Sequence, residues 1–185
     1  MNRLAVFFLA LCFGASALAL EIGGIKLDDK ASVGGQELVL NGAGVRTKLM
    51  FKIYVAGLYL PQNARDLAGV LAKGPRRVQM SLLRNLTADE LIGAFVEGLN
   101  ANNSPVEMAA VKAQTDQLVA IMKGFRDVKE KDVVALDFVD GGTKVGFNGE
   151  ARGTISGEAF NAALMRIWLG DKPAQPDLKK AMLGG

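Results

Sequence analysis

Apolar, aromatic and β-branched residues concentrate between Asn41 and Leu60, where the sequence reads NGAGVRTKLMFKIYVAGLYL. The segment Gly42-Ala43-Gly44 predicts a turn, and the proline-free stretch that follows predicts a strand. Because side chains alternate between the two faces of a strand, one face is expected to be a plain core surface, comprising Leu49, Phe51, Ile53, Val55, Gly57 and Tyr59. The other face is apolar apart from one ammonium and one phenol, and comprises Met50, Lys52, Tyr54, Ala56 and Leu58. We expect this second face to line a pocket.

The rest of the chain predicts helices and strands in an irregular order. Short strands broken by glycine pairs precede residue 41, and residues 77–83 alternate as a further strand. Capping boxes at Thr87 and Ser104 predict the starts of two helices, the second running to about Phe125. Alternation on either side of Asp140-Gly141-Gly142 predicts a β-hairpin, and an apolar stripe after it predicts another helix. This order predicts an α+β domain with a largely antiparallel sheet and helices on one face.

Residues 1–19 have the layout of a secretory signal peptide. Arg3 precedes an apolar run over residues 4–13, and Ala17-Leu18-Ala19 supplies a small-residue cleavage site. The run is too short to span a bilayer comfortably, and no later stretch is long enough to do so. We therefore expect cleavage near Ala19 and a single domain over residues 20–185. The mature protein is expected to be exported without an integral membrane segment, and to be periplasmic in a Gram-negative source.

The residue inventory excludes several kinds of chemistry. The chain has no histidine, and its one cysteine, Cys12, lies in the predicted signal peptide. The mature chain therefore cannot build a Ser-His-Asp or Cys-His site or a thiolate metal site. A lipid anchor on Cys12 is not expected either, because bulky Leu11 precedes it. The 22 cationic and 19 acidic residues give a net charge of +3 without interleaved basic and aromatic residues, so we expect no nucleic-acid partner, and we also expect no cofactor and no metal.

Arg46, at the entrance of the predicted strand, and Tyr54 form the one polar pair that could bind a ligand together. An arginine fork binds a carboxylate through two parallel N–H bonds, and a tyrosine hydroxyl can add a third donor. If Arg46 curls back over the strand, both groups point into an apolar cavity that suits a ligand with an anionic head and an apolar body. Lys52 is a third candidate, although its stem could also lie on the sheet with its ammonium in solvent. An arginine after a turn is usually a surface residue and a tyrosine in such a strand is usually half-buried core, so on the residues alone both interpretations stay open.

The glycine pair, Arg46 and the run F-K-I-Y-V-A-G-L-Y-L at residues 51–60 resemble the signature of the chalcone isomerase-like family. The resemblance extends over most of the chain after residue 20. It implies the chalcone isomerase-like fold, a large, mainly antiparallel sheet covered on one face by a layer of helices. In the family's fatty-acid-binding branch, an arginine after the glycine turn and a tyrosine in the following strand bind the carboxylate. Those positions correspond to Arg46 and Tyr54.

The resemblance to the true chalcone isomerases is incomplete. Those enzymes have a threonine where this chain has Tyr54, and a tyrosine and an asparagine on the helix after the third strand. They also have a threonine or serine three residues before a glycine, where this chain has Ile167 before Gly170. Only Arg46 is retained, so Arg46 would be the one catalytic residue if the protein is an enzyme.

Three functional hypotheses follow. The first is a non-catalytic protein that binds a fatty acid or a similar amphiphilic carboxylate through Arg46, Tyr54 and Lys52. The second is an intramolecular lyase or isomerase of the chalcone isomerase type, which predicts a polar side chain facing Arg46 across a cleft. The third is a periplasmic interaction module without a pocket, which predicts that Arg46 pairs with an internal carboxylate such as Asp137 or Glu150.

Overall fold

The computed structural model describes residues 20–72 and 74–185 of the 185-residue chain. The predicted signal peptide, residues 1–19, lies outside the described residues and stays a prediction. Within the described part of the chain, no helix has the length and apolar character needed to cross a membrane.

Eleven strands and six helices form along the described chain. The strands are β1 Leu20–Ile22, β2 Ile25–Leu27, β3 Lys30–Val33, β4 Gln36–Lys48, β5 Phe51–Leu60, β6 Arg76–Leu82, β7 Leu86–Thr87, β8 Asp127–Val128, β9 Val133–Val139, β10 Gly142–Phe147 and β11 Glu150–Ser156. The helices are α1 Leu67–Val70, α2 Ala88–Asn102, α3 Pro105–Ala110, α4 Lys112–Lys123, α5 Glu158–Leu169 and α6 Pro176–Met182. The predicted hairpin around Asp140-Gly141 is formed by β9 and β10.

Seven of the strands form one antiparallel sheet in the order β11-β10-β9-β6-β5-β4-β3. The short pairs β1-β2 and β7-β8 are separate antiparallel ribbons. A large antiparallel sheet with helices packed against it is the architecture that the sequence predicts, and the predicted α+β class is confirmed.

The main core lies between the sheet and its helices. Side chains of β5 and β6, such as Leu58 and Met80, are buried in one cluster with Leu99 of α2 and Trp168 of α5. On the opposite face of the sheet, Val55 packs in a smaller cluster against the β1-β2 ribbon. β5 is therefore covered on both faces, and the helical layer lies on the face that includes Tyr54.

Both predicted capping boxes form. The Thr87 hydroxyl accepts from the Glu90 amide while the Glu90 carboxylate accepts from the Thr87 amide, and Ser104 and Glu107 do the same at the start of α3. The prediction of one long helix to about residue 125 is wrong, because the chain leaves helical geometry at Val111 and splits the segment into α3 and α4.

The predicted turn at Gly42-Ala43-Gly44 is also wrong. All three residues lie inside β4, and the chain turns later, at Leu49 and Met50. The glycines serve a close approach instead: a Cβ on Gly42 would collide with the Ala181 carbonyl of α6, and one on Gly44 would lie 2.9 Å from the Ala181 Cβ. Because the missing side chains lie on one face of β4, α6 can pack directly on the strand.

Candidate functional site

A cavity of about 650 Å³ opens between the far end of the β4-β5 hairpin and helix α2. Arg46 and Tyr54 lie in the wall formed by the hairpin, while the opposite wall is α2 and the floor includes Ile167 and Trp168 of α5. The volume falls within the range of about 300–1,000 Å³ that is usual for small-molecule sites.

The fold brings Arg46 and Tyr54 together as direct cross-strand partners of β4 and β5. The sequence interpretation required Arg46 to curl back over the strand to reach Tyr54. In the structure the antiparallel pairing already places the two side chains next to each other. Tyr54 is 8% exposed, and Arg46 is partly buried. Two of the three predicted binding residues therefore share one wall of the cavity.

The Tyr54 hydroxyl is oriented by Trp168, whose indole Nε1–H donates to it at 3.1 Å. Burial raises the pKa of Tyr54, and the opposing effects of the Trp168 hydrogen bond and the Arg46 charge are smaller. The phenol is consequently neutral at physiological pH and keeps its proton to donate. The Tyr54 oxygen accepts from Trp168 and also lies within hydrogen-bonding reach of Arg46, while its O–H has no acceptor within the described residues and is available for a ligand in the cavity.

Arg46 keeps most of its hydrogen-bonding capacity. Its Nη1 donates to the Thr47 carbonyl at 2.6 Å and lies 3.4 Å from Oε1 of Gln175, an oxygen that also accepts from the Thr47 amide at 2.8 Å. Among residues 20–72 and 74–185, Arg46 forms no salt bridge. Its fork is therefore held beside the cavity without an internal carboxylate partner.

The carboxylates that the interaction-module hypothesis assigned to Arg46 pair with other arginines. Asp137 forms a bidentate pair with Arg77, with N–O distances of 2.5 and 2.8 Å. Glu150 lies 2.8 Å from Arg152. Arg46 lines a cavity instead, which the pocketless hypothesis did not predict.

Lys52 is not brought together with Arg46 and Tyr54. A bulge shifts the register so that Tyr54 pairs with Arg46 while Lys52 pairs with Thr47, and Ile53 is the extra residue. The bulge reverses the alternation expected from the sequence. Ile53 and Phe51, predicted on the core face, line the cavity, whereas Lys52 is exposed and is not among the lining residues.

The interior of the cavity is apolar and the rim is charged. Its interior side chains are aliphatic or aromatic and include Ile53, Leu91, Phe95, Ile167 and Trp168. The rim carries both signs, on Lys48, Arg84, Asp89, Glu90, Glu97 and Lys172. Several small residues of α2 also line the cavity, namely Gly93, Ala94, Gly98 and Ala101, and at Gly98 the missing side chain lets Ile167 of α5 pack closely against the helix.

A sequence profile of the chalcone isomerase-like family matches residues 19–184. The chain belongs to the chalcone isomerase-like family. A fatty-acid binding protein from Arabidopsis thaliana has a similar structure, with a TM-score of 0.66 at 12% sequence identity over 86% of this chain and 92% of that one. At this identity the likeness shows a shared chalcone isomerase-like fold. No curated protein sequence matches the chain significantly.

Ile167, which stands where the true isomerases have a threonine or serine, lines the same cavity with an apolar side chain, and so do Ala94 and Phe95 of α2. Within the described residues, no group of three or more acidic side chains is placed to hold a metal ion. Among the described residues, the polar side chains in the cavity interior are those of Arg46, Tyr54 and Trp168.

Sequence reasoning missed two residues that organise this site, Trp168 and Gln175. Trp168 falls in the apolar stripe that predicts the helix after the hairpin, and the only available signal is that a buried indole N–H needs an acceptor. Gln175 lies 129 residues from Arg46, and nothing local predicts their contact. The asparagines at the end of α2 form contacts outside the cavity: Asn102 hydrogen-bonds the backbone of Lys172, and Asn103 accepts from Arg166.

Proposed function

We propose that this chalcone isomerase-like protein binds a fatty acid or a similar amphiphilic carboxylate without transforming it. The carboxylate lies against Arg46 and Tyr54, and the hydrocarbon chain occupies the apolar space between the hairpin and α2. Arg46 contributes two N–H donors of its fork, and Tyr54 contributes a neutral O–H.

The observation that carries this proposal is the availability of both donors beside one apolar cavity. Arg46 has no salt bridge within the described chain, and the Tyr54 hydroxyl accepts from Trp168 while its proton has no acceptor there. A buried cationic fork costs free energy unless an anion or several hydrogen bonds compensate it. A carboxylate in the cavity would supply that compensation.

The fold and the apolar lining support the same conclusion. The structurally similar Arabidopsis protein is a fatty-acid binding protein, and it shares the fold over most of its length. In this chain, the described side chains at 94, 95 and 167 in the cavity interior are apolar and offer no hydrogen bond to a ketone or phenol. Binding without catalysis is therefore the function that these side chains favour.

Export is part of the proposal. The N-terminal Arg3, the apolar run after it and the Ala17-Leu18-Ala19 site favour a cleaved signal peptide. The mature chain would then operate outside the cytoplasm, in the periplasm of a Gram-negative source, as a carrier of an amphiphile that is poorly soluble there.

Native mass spectrometry of the exported protein, followed by organic extraction, tests the proposal. We expect an adduct with the mass of a fatty acid or a related amphiphilic acid, and we expect Arg46→Met to lose it while remaining folded. An Arg77→Met variant, which removes an arginine paired to Asp137 outside the cavity, should keep the adduct. A ligand-free wild-type protein that also shows no thermal stabilisation by any fatty acid would contradict the proposal.

A further inference from the structure

The tip of the β4-β5 hairpin is the most conspicuous exposed apolar feature of the described chain. Five large apolar side chains are exposed in the described chain. Three of them are consecutive and lie at this tip: Leu49 at 89%, Met50 at 90% and Phe51 at 55%. Single exposed apolar residues are ordinary, but a contiguous protruding group indicates an interaction site.

The backbone at this tip departs from the usual turn chemistry. Lys48 pairs with Phe51, so Leu49 and Met50 form a two-residue hairpin loop. In this loop the first residue, Leu49, has φ +57° and the second, Met50, has no positive φ. In hairpin turns with this combination, glycine is the usual residue at the first position. A large apolar residue here is both strained and exposed, and such outliers cluster at functional positions.

Cations bracket the apolar tip. Lys48 precedes it, Lys52 follows it, and the Arg84 guanidinium lies 4.8 Å from the centre of the Phe51 ring. All three cations are exposed, and none of them forms a salt bridge within the described residues. The acidic residues of the rim, Asp89, Glu90 and Glu97, all belong to α2, and the Glu90 carboxylate is engaged with Thr87.

An apolar point surrounded by cations complements an anionic bilayer surface. Apolar side chains enter the boundary between headgroups and acyl chains, while lysine and arginine contact anionic headgroups. A protein partner would be expected to bury a broader surface than a two-residue loop, since stable protein interfaces need about 800 Å² on each side.

The tip also forms part of the cavity entrance. Lys48, Leu49 and Phe51 are lining residues of the same cavity that Arg46 and Tyr54 face. A surface that binds the tip therefore lies directly at the opening through which an acyl chain would enter or leave.

We propose that the hairpin tip docks this protein on an anionic lipid surface, with the cavity mouth towards the bilayer. Docking itself depends only on the tip, and its purpose, the exchange of an amphiphilic carboxylate with the membrane, rests on the proposed function. Leu49, Met50 and Phe51 enter the interface, and Lys48, Lys52 and Arg84 bind the headgroups.

Vesicle flotation of the exported protein, with its N terminus defined by intact mass, tests the docking. Vesicles of phosphatidylcholine with phosphatidylglycerol are compared with pure phosphatidylcholine at low and high salt. The informative variant is Met50→Asp, because Met50 is exposed in the loop and is not a cavity-lining residue. Val106→Asp is the matched control, since Val106 is 80% exposed on α3 and lies outside the cavity lining.

We expect wild type and Val106→Asp to float with the anionic vesicles, and salt to weaken their binding. Met50→Asp should bind at least about tenfold less, because it loses the insertion of a large apolar side chain and adds a repelled charge. Its fatty-acid affinity, measured without vesicles through the fluorescence of Trp168, should stay unchanged. This second readout separates failure of docking from failure of the proposed function.

Equal flotation of Met50→Asp and Val106→Asp would overturn the docking proposal. So would a wild-type protein that ignores anionic vesicles. If wild type ignored vesicles but self-associated with increasing concentration, and Met50→Asp abolished that association, the tip would be assigned to a second copy of the chain instead.

Discussion

One half of the β4-β5 hairpin packs tightly against a helix, whereas a cavity separates the other half from the helical layer. In the closed half, Gly42 and Gly44 let α6 lie directly on β4, and the Asn41 amide donates to the backbone carbonyls of Ala64 and Met182. In the open half, beyond Arg46, the hairpin and α2 diverge around a cavity of about 650 Å³. Gly42, Gly44 and Arg46 share one strand face, so the position of α6 decides where packing ends and the cavity begins.

The boundary between the halves is held by the residue that precedes α6. Gln175 accepts from the Thr47 amide at 2.8 Å and lies 3.4 Å from Arg46 Nη1. The closed half thus sets the position of the arginine in the open half. Loss of packing in the closed half should therefore disturb ligand binding in the open half. Loss of the ligand-binding groups in the open half should leave the packing of the closed half intact.

The largest effect is expected from Gly42→Val. The new side chain would collide with backbone carbonyls of α6, which cannot move as a flexible side chain does. We expect a loss of about 3 kcal/mol or more in the free energy of unfolding, measured by urea denaturation. Gly93→Ala is the matched control: a Cβ at Gly93 meets nothing within 4 Å, so this helix substitution should stabilise by about 0.5–1 kcal/mol. Equal stabilities for the two variants would contradict the packing described for the closed half.

The next largest effect concerns the open half. Arg46→Met keeps an apolar stem but removes the fork, and we expect fatty-acid affinity to fall about tenfold to a hundredfold, from the loss of charged hydrogen bonds worth about 1.5–3 kcal/mol. Trp168 is the single tryptophan of the chain and lines the cavity, so its fluorescence reports binding.

Lys52→Met provides the comparison for Arg46→Met. The sequence suggests Lys52 as a third ligand-binding residue, whereas the bulge at Ile53 leaves it exposed outside the cavity lining. We expect Lys52→Met to change the affinity by less than about twofold, as befits an exposed charge. A loss as large as that of Arg46→Met would support the sequence-based assignment over the geometric one.

Much of the fold follows from local pattern, whereas the role of Gly42 in β4 does not. The capping boxes at Thr87 and Ser104 depend on residues three positions apart, so the sequence alone predicts them. The role of Gly42 depends on a helix about 140 residues away, and a glycine needed for close approach cannot be told locally from one needed for a turn.

The candidate site, like the fold, could be predicted only in part from the sequence. Arg46 and Tyr54 were identified from residue chemistry and family resemblance, and the structure makes them cross-strand neighbours. Their assignment as a carboxylate clamp stays a prediction. The orientation of Tyr54 by Trp168 joins β5 to α5 over 114 residues, and the displacement of Lys52 follows from a one-residue bulge. Neither feature leaves a periodic signal in the sequence.

A smaller effect is expected from Tyr54→Phe. The substitution leaves the buried indole N–H of Trp168 without its acceptor, which should cost about 1–2 kcal/mol of stability. It also removes one neutral donor to the ligand, so affinity should fall by up to about tenfold. Urea denaturation and Trp168 fluorescence measure the two effects separately. Unchanged stability and affinity would show that the hydroxyl contributes neither to folding stability nor to ligand binding.

The smallest effect is a pH dependence shared by the two tyrosines. Burial raises the pKa of Tyr54 in the open half, and it raises the pKa of Tyr59, which pairs with Leu40 in the closed half, to about 12. The unfolded chain therefore releases phenolic protons near pH 10 before the folded chain does. The contribution of both groups to stability should be complete below about pH 10 and decline as pH rises further.

Near-ultraviolet absorbance of tyrosinate checks this prediction when native and urea-unfolded protein are titrated in parallel. The native curve should lie at higher pH than the unfolded one. Coincident curves would mean that neither hydroxyl is buried as described.

The most direct test of the central claim compares a long-chain fatty acid with its methyl ester, by Trp168 fluorescence, in wild type and Arg46→Met. Both ligands have the same apolar body, so the difference in their affinities isolates the carboxylate. If Arg46 and Tyr54 bind the head group, wild type should prefer the acid by about tenfold or more, and Arg46→Met should lose most of that preference. Equal affinities of wild type for acid and ester would contradict the clamp, even if both ligands entered the cavity.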